Sequence, residues 1–231
     1  MRSIKPLGRG GCHREISYMV IRDIDVAYLD INQMKQKLCL NIGSGLDYRE
    51  SNEKEKWINI DKSIKMKSDL SINFIKEKLP FEDNSIDLII CKNLLSHIKY
   101  KNTFWLIREV HRVLKEDGIF SINTIHFSSR LRIEPALVQT YSVRFLREML
   151  LDSVEMDDYF NFTDIREIKH LFKEKLINLK WTHDKVGVKG ILSKVVSFFG
   201  SLFPSFCDRI WCYWVGGFDL IEGEFIKIGE I

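Results

Sequence analysis

Leu38-Cys39-Leu40-Asn41-Ile42-Gly43-Ser44-Gly45 is the stretch whose reading decides the fold. An apolar run wide enough for a buried strand enters a turn that needs Gly43 and Gly45. A second run, Trp57-Ile58-Asn59-Ile60-Asp61, ends in a carboxylate. Strand, glycine turn and strand-end acid are the parts of a nucleoside site: glycine backbone permits close approach, and a carboxylate accepts from ribose hydroxyls.

Outward from that stretch, strands alternate with helices. The pattern predicts strands over Leu38–Ile42, Trp57–Ile60, Ile86–Cys91 and Ile119–Asn123, with a short element over Leu70–Phe74. A helix begins at Leu94–Ile98. Another covers Thr103–Leu114, where Phe104, Ile107, Val110, Val113 and Leu114 share a face and Gly118 supplies the stop. Ser142–Leu151 reads as helix, and Phe162–Lys175 as an amphipathic helix. Leu176–Val186 and Asp219–Ile228 read as strands. Alternation of this kind implies a doubly wound α/β sheet with its ligand at the strand C-terminal edge. Residues 1–36 form a partly helical N-terminal extension and 37–231 the main domain.

The 231 residues carry 45% hydrophobic and 29% charged side chains, enough for a full core. A net charge of +3 gives no reason to expect a nucleic-acid partner. Five cysteines without a C-x-x-C point to a reduced, cytoplasmic chain. The first residues lack a signal-like apolar core, and no apolar run is long enough to predict a membrane span.

Residues 37–126 resemble the class I S-adenosylmethionine-dependent methyltransferases, particularly the small type 11-like methyltransferase domains. Four blocks carry the resemblance in order. They are Leu40–Gly45, Ile58–Asp61, Ser68-Asp69-Leu70 with Leu79–Asp87, and Arg108–Gly118. The family implies a Rossmann-like, three-layer αβα, seven-stranded sheet with an antiparallel last strand. It also implies that residues 127–162 cover the substrate, and it leaves 187–216 as an apolar insert.

The resemblance implies S-adenosyl-L-methionine as cofactor, held by Asn41, Gly43, Ser44 and Gly45, with Asp61 on the ribose. Asp69 and Leu70 would border the adenine, and Cys91, Lys92 and Asn93 would line the cofactor with their backbone. His126, after strand five, is the first candidate base and His97 the second. Arg130, Arg132 and Tyr141 are candidate contacts to a small-molecule or glycan-type acceptor. No metal triad is evident. Asp87, at the opposite strand edge, reads as structural.

Departures from the family pattern are specific. Asn41 stands where the family usually has an acid, Asp47 where a third glycine often occurs, and Ser96 where a glutamate is common. The short run from Gly45 to Trp57 leaves little room for the usual helix. A nicotinamide-dependent oxidoreductase and a non-catalytic methyltransferase-like binding module are the alternatives; Tyr48 occupies the last glycine place of G-x-G-x-x-G. The aromatic residues of 187–216 suit either an interfacial membrane helix or a lid packed on the sheet or a partner subunit.

Overall fold

The computed structural model describes residues 36–73, 76–133, 135–151, 171–181, 188–212 and 217–228. Residues 36–231 form one compact unit. The expected extension over 1–36 lies outside the described residues except for Gln36.

The strands are β1 (Lys37–Ile42), β2 (Glu55–Asp61), β3 (Leu70–Ser71), β4 (Ile86–Lys92), β5 (Leu114–Ile125), β6 (Phe172–Lys180) and β7 (Leu220–Lys227). They form one seven-stranded sheet in the order β3-β2-β1-β4-β5-β7-β6. β1 to β5 run parallel, and β7 lies antiparallel between β5 and β6. The flanking helices are α1 (Tyr100–Val113), α2 (Val143–Leu151) and α3 (Val188–Leu202).

Strand periodicity splits β1 between two faces. Leu40 and Ile42 enter the main core with Ile60, Ile89 and Cys91. Cys39 points the other way, into a small second cluster with Trp57, Ile90 and the partly buried Leu88. The reason is the connection from β1 to β2, which contains no helix. A loop covers this face instead, with the Arg49 guanidinium 4.8 Å over the Trp57 ring.

Asn59, fully buried on β2, holds that loop. Its Oδ1 accepts from Asn41 Nδ2 at 3.1 Å and Arg49 N at 2.9 Å, while its Nδ2 donates to Arg49 O and Asp69 Oδ2, both at 2.9 Å. That uses every hydrogen-bonding position of the amide.

Several expectations need correction. The turn after Leu94 is an isolated 3-10 turn over Leu95–His97, because Ile98 and Lys99 adopt extended backbone with ψ of 148° and 149°. The short element expected to Phe74 stops at Ser71. α1 ends at Val113 without a glycine stop, and β5 begins at Leu114. The left-handed residue in the following bulge is Asp117, φ 61°, rather than Gly118. Gly118 is needed for space, since a Cβ there would sit 2.7 Å from Lys115 O.

The helix expected over 162–175 fails at its end: Phe172–Lys180 is strand. Pairing with β7 and burial of Phe172 against Phe120 and His111 outweigh the local helical spacing. Its earlier part, and the residues beyond Trp181 assigned to strand six, lie outside the described residues.

Arg112 ties two distant sequence blocks together. Its guanidinium donates to Leu79 O (2.9 Å), Phe81 O (2.9 Å), Asp83 (2.7 Å) and Glu109 (2.8 Å). Glu109 in turn accepts from Leu79 N at 3.1 Å. Burial alone would raise the Glu109 carboxyl, but these hydrogen bonds outweigh it and hold the group below its ordinary 4.5. Asp87 is structural as expected, accepting from Leu38 N and Lys115 Nζ at the N-terminal edge of the sheet.

Candidate active site

A cleft of about 730 Å³ opens at the C-terminal ends of β1, β2 and β4. Its size suits a small organic ligand, for which pockets run roughly 300–1,000 Å³. The floor is the glycine turn. Gly43 and Gly45 take φ of 69° and 50°, in the left-handed region that a side chain resists. Gly43 also faces Leu94, whose Cδ1 lies 3.0 Å from where a Cβ would stand. Gly43 N and Ser44 N donate to Ile60 O at 2.8 and 3.1 Å, and Gly45 N donates to Asp61 Oδ2 at 2.9 Å. The turn and the acid are therefore one unit.

Asn41 is buried on the cleft wall with its amide orientation settled. Nδ2 donates to Asp47 O at 2.6 Å and to Asn59 Oδ1 at 3.1 Å. Neither bond uses Oδ1. An aspartate would have no hydrogen to give either acceptor, so the amide at 41 and the helix-free loop are one adaptation. Ser44 is buried in the same wall, and its Oγ has no hydrogen-bond partner among the described residues. A buried hydroxyl of that kind costs stability unless a ligand meets it.

Lys92 and Asn93 also line the cleft, and Lys92 Nζ pairs with Asp47 at 2.8 Å. That hydrogen bond holds the Asp47 carboxyl below its ordinary value. Asn93 carries a left-handed φ of 54°. Cys91 does not reach the cleft. It points into the core, where burial pushes its thiol to about 12. Asp69 and Leu70 are also not among the cleft walls: Asp69 is engaged by Asn59 and by Tyr48 OH at 2.7 Å, and Leu70 packs against the core.

The two candidate histidines exchange places. His126 is fully buried, with Nε2 2.8 Å from Asp208 and Nδ1 2.6 Å from Ser128 Oγ. Both nitrogens are occupied, so it has no free position for a substrate proton. His97 is exposed and lines the cleft. Its Nδ1 lies 3.0 Å from Ala136 O. A carbonyl only accepts, so Nδ1 carries the hydrogen and the neutral ring keeps Nε2 as an open acceptor.

Tyr141 is likewise no acceptor contact: its ring is buried, and its hydroxyl donates to Leu95 O at 3.2 Å. Arg130 stands exposed on the 3-10 turn Arg130–Ile133, outside the cleft walls. Arg132 lies in the same turn.

Leu46, Lys62, Ile98 and Ala136 complete the walls without having been expected. Leu46 and Lys62 directly follow motif residues, a usable signal. Ala136 has none, since it arrives by a long fold-back in which Val138 N and Gln139 N donate to Ser96 O. Ser96, standing where a glutamate is common in the family the sequence resembles, also bonds Thr124 at 2.9 Å.

Residues 42–122 match the family model described as methyltransferase domain. An uncharacterized protein of Methanocaldococcus jannaschii is 26% identical over 125 residues, 54% of this chain. The chain spans 42% of that relative's length. Among solved structures, a SAM-dependent methyltransferase from Archaeoglobus fulgidus superposes with a TM-score of 0.51 at 15% identity, covering 91% of this chain and 94% of the other. The YcgJ protein from Bacillus subtilis gives 0.47 at 17% identity over 91% and 97%.

Sheet order and glycine turn give the Rossmann-like fold of class I methyltransferases, and the matched segment runs from the end of β1 into β5. Over residues 42–122 the chain is similar to the S-adenosylmethionine-dependent methyltransferases. The donor set fits that cofactor: an unpartnered buried hydroxyl at Ser44, an open amide oxygen at Asn41 and a strand-end carboxylate at Asp61.

Proposed function

We propose that the protein transfers a methyl group from S-adenosylmethionine to a small-molecule or glycan-type acceptor. The observation that carries this reading is the cleft beside the glycine turn, where Asn41, Ser44 and Asp61 present complementary polar atoms to one space. When bound, S-adenosylmethionine supplies an electrophilic methyl carbon on a sulfonium sulfur. Asn41 Oδ1 would be placed to accept from the ammonium of its methionine part, and Ser44 Oγ to donate to the carboxylate. Asp61 keeps lone pairs for ribose hydroxyls beyond those used by Gly45 N and Ser63 N. Gly43 and Gly45 bring the backbone within reach of the ligand.

Displacement at a methyl carbon depends chiefly on alignment, so a rigid turn contributes more than a reactive side chain. Where the acceptor is a hydroxyl or amine, His97 Nε2 is the group able to take its proton. Titration calorimetry with S-adenosylmethionine, S-adenosylhomocysteine and NAD tests the assignment. Heat with the sulfur nucleosides and none with NAD is expected. Binding of NAD alone would favour the oxidoreductase reading instead.

A further inference from the structure

α3 is an amphipathic helix worn inside out. Ser193, Ser197 and Ser201 recur every fourth residue, so they share one face, and that face meets the sheet edge. Trp181 N donates to Ser197 Oγ at 2.9 Å, Leu179 N donates to Ser201 Oγ at 3.1 Å, and Ser193 Oγ donates to Trp181 O. Gly200 fits the same seam, where a Cβ would fall 2.5 Å from the Phe218 ring. Serine hydroxyls thus satisfy amides of edge strand β6.

The opposite face carries Leu192, Val195, Phe198, Phe199 and Leu202, continued by Phe203, all between 44% and 62% exposed. A helix of a water-soluble domain ordinarily turns such residues inward. A contiguous apolar patch of this kind marks a surface that meets another apolar phase.

Charge chooses the occupant. α3 itself contains Lys189 and Lys194 and no acidic residue. A second copy would set lysines against lysines across a two-fold, whereas anionic headgroups complement them. The clustered phenylalanines suit the headgroup boundary. With 15 residues the helix is about 22 Å long, short of the ~30 Å hydrocarbon core. No described helix is long and apolar enough to cross a membrane.

We propose that the outward face of α3 and the turn after it lie flat on an anionic lipid surface. The contact is independent of the methyl-transfer reading. Its test is flotation of the full chain with vesicles of phosphatidylcholine, with and without phosphatidylglycerol, at low and high salt. Binding is expected only with phosphatidylglycerol and weakens as salt rises.

Phe198→Ser combined with Phe199→Ser should weaken partitioning at least about tenfold with the melting temperature retained. Should that variant fail to fold, Lys194→Glu, on the exposed flank, should weaken binding severalfold at low salt. Failure to float with phosphatidylglycerol vesicles overturns the proposal. So does a doubled mass in light scattering without vesicle binding, which assigns the face to a second copy.

Discussion

An amide and a carboxylate of the same shape have opposite consequences at position 41. The amide gives hydrogens to Asp47 O and Asn59 Oδ1; a carboxylate would face both with lone pairs. Restoring the acid usual in the family, Asn41→Asp, should cost about 2–3 kcal/mol in denaturant unfolding. An unchanged or raised stability would contradict the coupling between Asn41 and the loop. The histidines divide in the same way. His97→Gln should lower turnover on a proton-bearing acceptor about 10²-fold while leaving the melting temperature in place. His126→Gln should lower the melting temperature and spare cofactor affinity, because it breaks the Asp208 and Ser128 contacts away from the cleft. Sequence order puts both histidines near the ligand edge. It says nothing of burial, which depends on Asp208, a residue 82 positions away. Asn41, Ser44 and Asp61 were legible because a glycine turn followed by a strand-end acid is a local pattern.

At the level of elements, the junction between the Leu79–Asp83 loop and α1 rests on the Arg112–Glu109 pair. Arg112→Ala would strand a carboxylate whose side chain is only 9% exposed, and should cost about 3 kcal/mol. The pH dependence follows from the lowered carboxyl. Glu109 contributes stability above its unfolded value of 4.5, and that contribution fades as pH falls through the lower folded value. Unfolding curves of Glu109→Gln should therefore lose part of the acid-limb slope below about pH 4.5. A slope equal to that of the parent chain would show that the pair does not govern it. Parallel strands and α1 were readable because each has one dominant period. The start of β6 was misread because Leu171 and Phe172 satisfy helical and strand spacing equally, and pairing with β7 decides between them; Leu176–Lys180 is strand as expected. The start of β5 was missed because its bulge places Lys115, Glu116 and Asp117 in a stretch that reads as a loop.

For the whole molecule, a ligand that binds only the folded chain must raise its stability. S-adenosylhomocysteine at a hundred times its dissociation constant should add about 2.7 kcal/mol, or roughly 5–10 °C in a thermal melt. NAD at the same concentration should leave the melt unmoved. A shift with NAD and none with the sulfur nucleoside would reverse the assignment of the cleft.

The place of β7 has a consequence for how the chain is made. β7 is the last of the described strands in sequence but interior in the sheet, with β5 on one side and β6 on the other. Until Leu220–Lys227 has left the ribosome, the outer edge of β5 and the whole of β6 lack their partner strand. At about 5–20 residues per second, synthesis of the residues between β5 and β7 takes several seconds. Over that interval the outer edge of β5 stands unpaired, joined by β6 once Phe172–Lys180 has been made, and both are open to pairing with other chains. A ribosome stalled before Leu220 should therefore hold an aggregation-prone intermediate, which sedimentation of the stalled nascent chain would check.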